Sequence, residues 1–492
     1  MNDLVTLWVP LAVLGLGVLL LLVDVLTPPK KAAQADVGWL VAVGLLLIFG
    51  ATFLVDVQGV AAYGAYRTGP WALFFQRLFL VAGALAAFGG VEDVQKRTPG
   101  RQGEYWLMML FSLSGMVLVP GAQNLLLVVV AFELMSIPLY VLAAHGKTDP
   151  DEASAKGNAA EAAVKLYFVG ALSTAFTLFG LGLLTGLTGT TELARIGAAP
   201  LQPLAALGLL FVLGGLGYKI GMVPFHMWVP DTYQGARAPF VAFLSVAPKA
   251  AGLAVIAGIF AFGMQTQKSL WVGPLGMAAF LSMAIGNLLA VTQSDTRRLL
   301  GYSGVAQMGY VLIALATGEE FGLAMVLFFL VAYLFTNLGA FLVVHANAEA
   351  GAGFDVDGLA GLSRRAPKLA LALACFLLSL AGIPFVVGFW AKLYVLLAAY
   401  RAGLVSLVIA GVVLAVIGLF YYLRLLRAAY MTEPTVSRPD ERFGGPALGF
   451  AIALCVVAVV GLGLFPKPLL DAATRASHDL GVPAAAPHVG AR

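Results

Sequence analysis

Residues 217–252 read GYKIGMVPFHMWVPDTYQGARAPFVAFLSVAPKAAG, with Lys219 inside one long apolar run and Lys249 inside the next, each beside a proline. A lysine near the middle of a membrane helix costs roughly 2.5–3.5 kcal/mol, so such a charge is rarely idle. Proline lacks an N–H, so Pro224 frees the carbonyl of Ile220, next to Lys219, and Pro248 frees that of Leu244, on the turn before Lys249. In hydrocarbon a freed carbonyl must meet a neighbouring helix, a polar side chain or water. The stretch therefore predicts two broken or bent helices, each with a cation and a water site at membrane depth.

Composition agrees with that reading. The 492 residues are 61% hydrophobic and only 11% charged, with mean hydropathy +0.93. Soluble domains carry about 25% charged residues. The chain is a polytopic membrane protein embedded in a lipid bilayer. A net charge of +4 without a clustered basic face gives no reason to expect a nucleic-acid partner. Cys375 and Cys455 both lie in apolar runs, too few for a disulfide framework, a metal site or an iron–sulfur cluster. There is no P-loop, no GxGxxG turn and no histidine pair at haem spacing. Energy for transport must then come from an ion gradient or a partner subunit.

Apolar runs long enough to cross a bilayer lie near 4–26, 38–57, 72–94, 105–121, 123–145, 159–187, 203–226, 238–263, 270–291, 298–317, 320–346, 369–399, 403–427 and 446–466. That is about fourteen helices. The N-terminal run lacks a basic leader and a cleavage site, and reads as the first span. Alternate loops hold Lys30 and Lys31; Lys96, Arg97 and Arg101; Lys147 and Lys156; Arg237; Arg297 and Arg298; Arg364, Arg365 and Lys368; Arg438 and Arg442. The opposite loops hold only Arg67, Arg195, Lys268 and Arg401, and the tail adds Lys467, Arg475 and Arg492. The richer set is expected to face the cytoplasm, which puts both termini on the periplasmic side.

GMVPF at 221–225 and AGIPF at 381–385 each interrupt a long apolar run with a lysine nearby, Lys219 in one and Lys392 in the other. Paired interrupted spans point to an inverted-repeat transporter. If each repeat has five helices, an odd number, the second is inverted relative to the first. Glu133 lies as far before Pro138 as Lys219 does before Pro224, and a deep carboxylate is expected either to be protonated or to be held by a nearby cation. A functional pairing of Glu133 with Lys219 is favoured. Glu161 and Lys165 are four apart in the favourable helical order, consistent with a same-helix ion pair or a proton path. Lys392 reads as internal to the twelfth span, although snorkelling to an interface is the alternative. His226, at the end of the seventh, is either a proton donor near neutral pH or an interfacial hydrogen-bonder. Asp231, Asp295, Arg297 and Arg298 read as loop or cap residues. Glu133, Lys165, Lys219, Lys249 and Lys392 thus form a sparse series of titratable groups along a bundle, the physics of a proton relay.

GEYWLMMLFSLSGMVLV (103–119), FELMSIPLYVLAAH (132–145), EAAVKLYFVGALSTAFTLFG (161–180), GYKIGMVPFHMWVPDTYQGA (217–236), SVAPKAAG (245–252), QSDTRRLLGYSGVAQMGYVL (293–312) and GIPFVVGFWAKLYV (382–395) carry a family likeness. They resemble the antiporter-like membrane subunits of proton-pumping NADH:quinone oxidoreductase, respiratory complex I. A lysine at Lys392, where sister subunit M carries glutamate, and a short C-terminus, where subunit L extends into a long lateral helix, favour subunit N. The resemblance implies an all-α membrane protein of fourteen helices with two inverted five-helix repeats and broken helices seven and twelve. It implies 1–102 as an N-terminal three-helix region, 103–265 and 266–430 as the two repeats, and 431–492 as a last helix and tail.

By that resemblance Glu133 pairs with Lys219, while Lys165, Lys249 and Lys392 fill the lysine places of helices six, eight and twelve, with Lys392 leading to the periplasm. It implies no cofactor in this chain. NADH, FMN, iron–sulfur clusters and quinone would sit in other subunits of the membrane and peripheral arms, in a bacterial cytoplasmic membrane. Arg237 departs from the family's usual proline in GAPAP and puts the local loop geometry in question. The rival readings are a sodium/proton antiporter subunit and a purely structural scaffold.

Overall fold

The structure is a computed structural model and describes residues 3–27, 37–55, 57–98, 100–145, 155–197, 203–434 and 443–481. Lys30, Lys31, Lys147, Arg438, Arg442 and Arg492 lie outside the described residues. The first six spans are α1 Trp8–Leu26, α2 Val37–Ala51, α3 Pro70–Arg97, α4 Gln102–Leu118, α5 Leu125–Ala144 and α6 Ala155–Thr188. The seventh is divided into α7 Pro203–Ile220 and α8 Trp228–Gly235. The eighth is divided into α9 Ala238–Leu244 and α10 Ala247–Ile256, which runs on as a π-helical stretch over Ala257–Gly263.

Next come α11 Lys268–Val291, α12 Thr296–Ala316 and α13 Glu320–Asn347. The twelfth span is divided into α14 Pro367–Ala381 and α15 Val387–Arg401, and α16 Val405–Met431 and α17 Pro446–Leu464 finish the crossings. Among the described residues, 11 helices are long and apolar enough to cross a membrane, and three shorter apolar ones fill the second, seventh and twelfth places. The architecture is the expected all-α bundle of fourteen spans, two inverted five-helix repeats whose broken spans include the seventh and twelfth.

The boundaries follow local chemistry. Pro70, Pro239, Pro248, Pro367 and Pro446 stand in the first turn of their helices, where a missing N–H costs no hydrogen bond. Asn124 caps α5 by accepting from the Leu126 N–H, and Asp295 caps α12 by accepting from those of Arg297 and Arg298. The Pro120–Gly121 turn separates the fourth and fifth spans, as the sequence suggests.

Burial divides the bundle into centre and rim. The eighth, tenth and eleventh spans are almost entirely enclosed, whereas α1, α6 and α16 present most of their apolar surface outward. In water such an outer face would be a liability, and against lipid it is the expected surface. A two-stranded hairpin, β1 Gly59–Ala61 and β2 Tyr66–Thr68, covers one end of the bundle. The closing amphipathic helix, α18 Lys467–His478, docks there: Asp479 takes Arg67 of β2 at 2.5 Å and accepts from the Trp71 N–H at 3.2 Å.

Candidate functional site

The break in the seventh span is a full interruption of the helix, stronger than the bend that a proline alone would impose. At Gly221 the backbone turns to φ +71°, and the N–H groups of Gly221 and Met222 fold back onto the carbonyls of Tyr218 and Gly217. That is the left-handed cap for which glycine is suited. The Val223 N–H, released from helical bonding, donates to Ser282 Oγ of α11 at 3.0 Å, and Trp228 Nε1 donates to the Tyr218 carbonyl at 3.0 Å. Neighbouring helices thus meet polar groups that hydrocarbon would leave bare.

Lys219 occupies the last turn of α7, where the helix dipole favours a cation. Its ammonium is buried and donates to Ser136 Oγ of α5 at 2.7 Å, while Ser136 Oγ donates to the Phe132 carbonyl at 2.7 Å. Glu133, half-buried and one turn away on α5, accepts from Thr174 Oγ1 of α6 at 2.8 Å. The expected Glu133–Lys219 pairing is therefore not a direct ion pair. Ser136 holds the ammonium and Thr174 holds the carboxylate, because the two groups leave α5 toward different neighbours.

Lys249 stands in the first turn of α10, with 0% of its surface exposed, and among the described residues its ammonium meets no hydrogen-bonding group. The face of Tyr233 lies 5.7 Å away. Lys392 lies beyond the third break, on α15, and is likewise buried. Its ammonium reaches back to the Ala381 carbonyl at 3.3 Å, the negative end of α14, with the ring of Tyr310 at 4.9 Å. The two echoing breaks thus differ in one respect: Lys219 precedes its break, whereas Lys392 follows its own and turns back to it. Lys392 borders a small cavity with Gln307 and Ser379, and Gln307 Nε2 donates to the Leu380 carbonyl at 2.9 Å and to Tyr422 Oη at 3.0 Å. The Ser303 and Tyr422 hydroxyls are 2.5 Å apart. The sequence reading passed over Ser303, Gln307 and Tyr422, although the i, i+4 spacing of the first two on α12 was a signal.

Lys165 is more exposed than Lys219, Lys249 and Lys392. It pairs with Glu161 at 2.6 Å, the same-helix contact that its spacing suggests, and with Asp231 at 2.7 Å. Asp231 also takes Arg298 at 2.6 Å. Burial pushes the Asp231 carboxyl up, but hydrogen bonds from Lys165 and Arg298 more than offset this and hold it below the usual carboxylate range. These groups line an open polar pocket of about 210 Å³. His226 lies in the irregular link of the seventh span, with Nδ1 buried and without a hydrogen-bond partner among the described residues.

A second polar cluster was not legible as a unit. Asp93 of α3 takes Arg97 at 2.8 Å and Arg237 at 3.6 Å, and Glu349, just past α13, takes Arg97 at 2.5 Å. With His145 and His345 they line a cavity of about 300 Å³. Asp93, His345 and Glu349 bring ligand atoms within 4.8 Å of one another, but the guanidinium groups already neutralise the carboxylates that would hold a cation. Arg237 keeps φ −63°, the value a proline would impose, so the loop geometry survives the substitution.

Residues 122–418 match the family model described as NADH:quinone oxidoreductase/Mrp antiporter, transmembrane. A protein named NADH-quinone oxidoreductase subunit N 2, from Rhizobium meliloti (strain 1021), is 37% identical over 443 residues, 89% of this chain and 90% of its own length. A chain in the structure of respiratory complex I from Thermus thermophilus with bound Aureothin superposes with TM-score 0.78 at 31% identity, covering 95% of this chain and 99% of that one. A chain of the Mrp complex from Dietzia sp. DQ12-45-1b shares the fold, with TM-score 0.85 at 22% identity over 98% of both chains. With more than half its length matched by the family model and a relative aligned over most of the rest, the chain belongs to the NADH:quinone oxidoreductase/Mrp antiporter family of membrane proteins.

Proposed function

We propose that this chain is the proton-translocating subunit N of an NADH:quinone oxidoreductase in a bacterial cytoplasmic membrane. The observation that carries the reading is the placement of three buried lysines, Lys219, Lys249 and Lys392, each at a helix break inside one bundle. A buried ammonium beside polar groups with two available arrangements can take up and release a proton as its partner moves. The relay starts at Lys165 and the Glu133–Ser136–Lys219 group, passes Lys249, and leaves by Lys392. Glu161 and His226 serve the entrance. Because Lys219 is tied to Ser136, with Glu133 acting at a distance, a small movement of α5 against α7 alters the stabilisation of its charge.

The arginine-rich end faces the cytoplasm and both termini face the periplasm. Residues 103–265 and 266–430 are the two inverted repeats, between the N-terminal region 1–102 and the tail 431–492. NADH, FMN, iron–sulfur clusters and quinone belong to other subunits of the membrane and peripheral arms, whose redox work shifts the relay.

Lys219→Ala is expected to leave the complex assembled while weakening proton pumping in vesicles and the coupled quinone-reductase rate, and Glu133→Ala is expected to act in the same direction. Undiminished pumping by either assembled variant would remove the role. A sodium/proton antiporter subunit is the second reading, favoured only by the shared fold. Co-purification separates the two: flavin and iron–sulfur subunits accompany the first, small antiporter subunits the second.

A further inference from the structure

The Lys392 ammonium has a hydrogen-bond partner, whereas that of Lys249 has none, and no hydrogen bond joins the two lysines among the described residues. The link is the hydroxyl of Tyr333, on α13. It is buried and, among the described residues, meets no hydrogen-bonding group, as is true of the Lys249 ammonium. The two atoms converge on one spot. A Cβ placed on Gly304 of α12 would lie 2.8 Å from the Tyr333 hydroxyl and 3.0 Å from Lys249 Nζ. Both therefore border the notch that the missing side chain of Gly304 leaves open. On its other side Tyr333 borders the Lys392 cavity with Gln307, Thr336 and Ser379; at about 10 Å³ this cavity approaches the space that one water needs.

Two buried donors facing one notch at hydrogen-bonding range mark a hydration site, since a buried polar group without a partner is costly. We propose that the Gly304 notch holds a water and that the Tyr333 hydroxyl relays protons through it between Lys249 and the Lys392 cavity. The inference rests on the proton-relay reading above and adds the connection between its two inner lysines. In the step itself an N–H bond of the Lys249 ammonium breaks as an O–H bond forms on the notch water. That water passes a proton to the Tyr333 oxygen as the phenol's own O–H bond breaks, and the released proton forms an N–H bond on the neutral amine of Lys392. Tyr333 ends neutral, and one proton has moved.

The test uses the whole complex in membrane vesicles, with pumping and NADH:quinone turnover normalised to assembled complex. Tyr333→Phe removes only the hydroxyl. Gly304→Ala fills the notch, and the fold tolerates it because the atoms met are the far ends of two side chains. Gly301→Ala on the same helix is the control, since its Cβ finds nothing nearer than 3.4 Å. Tyr333→Phe and Gly304→Ala are each expected to lower pumping several-fold and to raise the solvent deuterium isotope effect on turnover, with Gly301→Ala matching the wild type. A merely structural defect lowers the yield of complex and leaves the isotope effect unmoved. Wild-type pumping and isotope effect in assembled Tyr333→Phe overturn the proposal, and that variant decides alone if Gly304→Ala does not assemble. Lys249→Ala separates the two readings: if it pumps normally the relay itself fails, and if it is impaired while Tyr333→Phe is normal only the present inference fails.

Discussion

Lys249 illustrates how a single residue can act against stability. A fully enclosed ammonium without a hydrogen-bond partner is an energetic cost that a well-packed apolar side chain of similar length would remove. Lys249→Met is therefore expected to leave the thermal stability of the assembled complex equal or raised while proton pumping falls; a lowered melting temperature would show that the lysine holds the fold. His145, just past the end of α5, gives the opposite kind of test. Burial, together with the nearby Arg237 and Arg101 charges, lowers its imidazole to about 4 from the usual 6.5. A depressed histidine is neutral in the fold and takes up its proton more readily when unfolded, so its contribution is intact above pH 6.5 and is lost as pH falls toward 4. His145→Gln is expected to flatten the acid side of the stability profile, measured by thermal melts between these limits. At this scale the sequence revealed which residues were anomalous, because charge in an apolar run needs no coordinates to be seen. It did not reveal that Ser136 and Thr174 separate Lys219 from Glu133, since those contacts cross between helices.

At the scale of elements, the breaks are what the lysines depend on. Gly221 adopts a left-handed conformation, and an added Cβ would meet Val229 Cγ2 at 2.7 Å. Gly221→Ala should cost about 1–2 kcal/mol for the backbone alone, read as a lower melting temperature and reduced assembly. Arg237→Pro should be tolerated by the chain, because Arg237 already has φ −63° and Ala236 before it is extended, at ψ 164°. Asp93 would keep Arg97 as a partner, so assembly should survive, and failure to assemble would mean that the Arg237 charge is itself required. The positions of the three breaks were legible from Pro224, Pro248 and the GIPF turn. Their depth was not, because a proline in a helix permits either a kink or a full interruption. Ser282 and Trp228, by bonding the released backbone, favour the interruption.

The molecule as a whole is joined end to end by Arg67 and Asp479, 412 positions apart in the chain. Asp479→Ala removes that ion pair and the acceptor for the Trp71 N–H, and should loosen α18 by about 1–2 kcal/mol. Limited proteolysis with trypsin checks this: cleavage after Arg475, which precedes Ala476, should accelerate without change in the transmembrane core. Composition and run length by themselves determined that this is a many-span helical membrane protein, because a bilayer demands long apolar segments with internally bonded backbones. They also determined where its charges sit along the chain. Only the tertiary structure decided which of those charges meet: that Lys165 is shared by Glu161 and Asp231, that Asp93 and Glu349 gather Arg97, and that Lys249 and Tyr333 face one notch at Gly304. The physical reason is that periodicity fixes the face of a helix on which a side chain lies, whereas its neighbour across a helix interface depends on how the whole bundle closes.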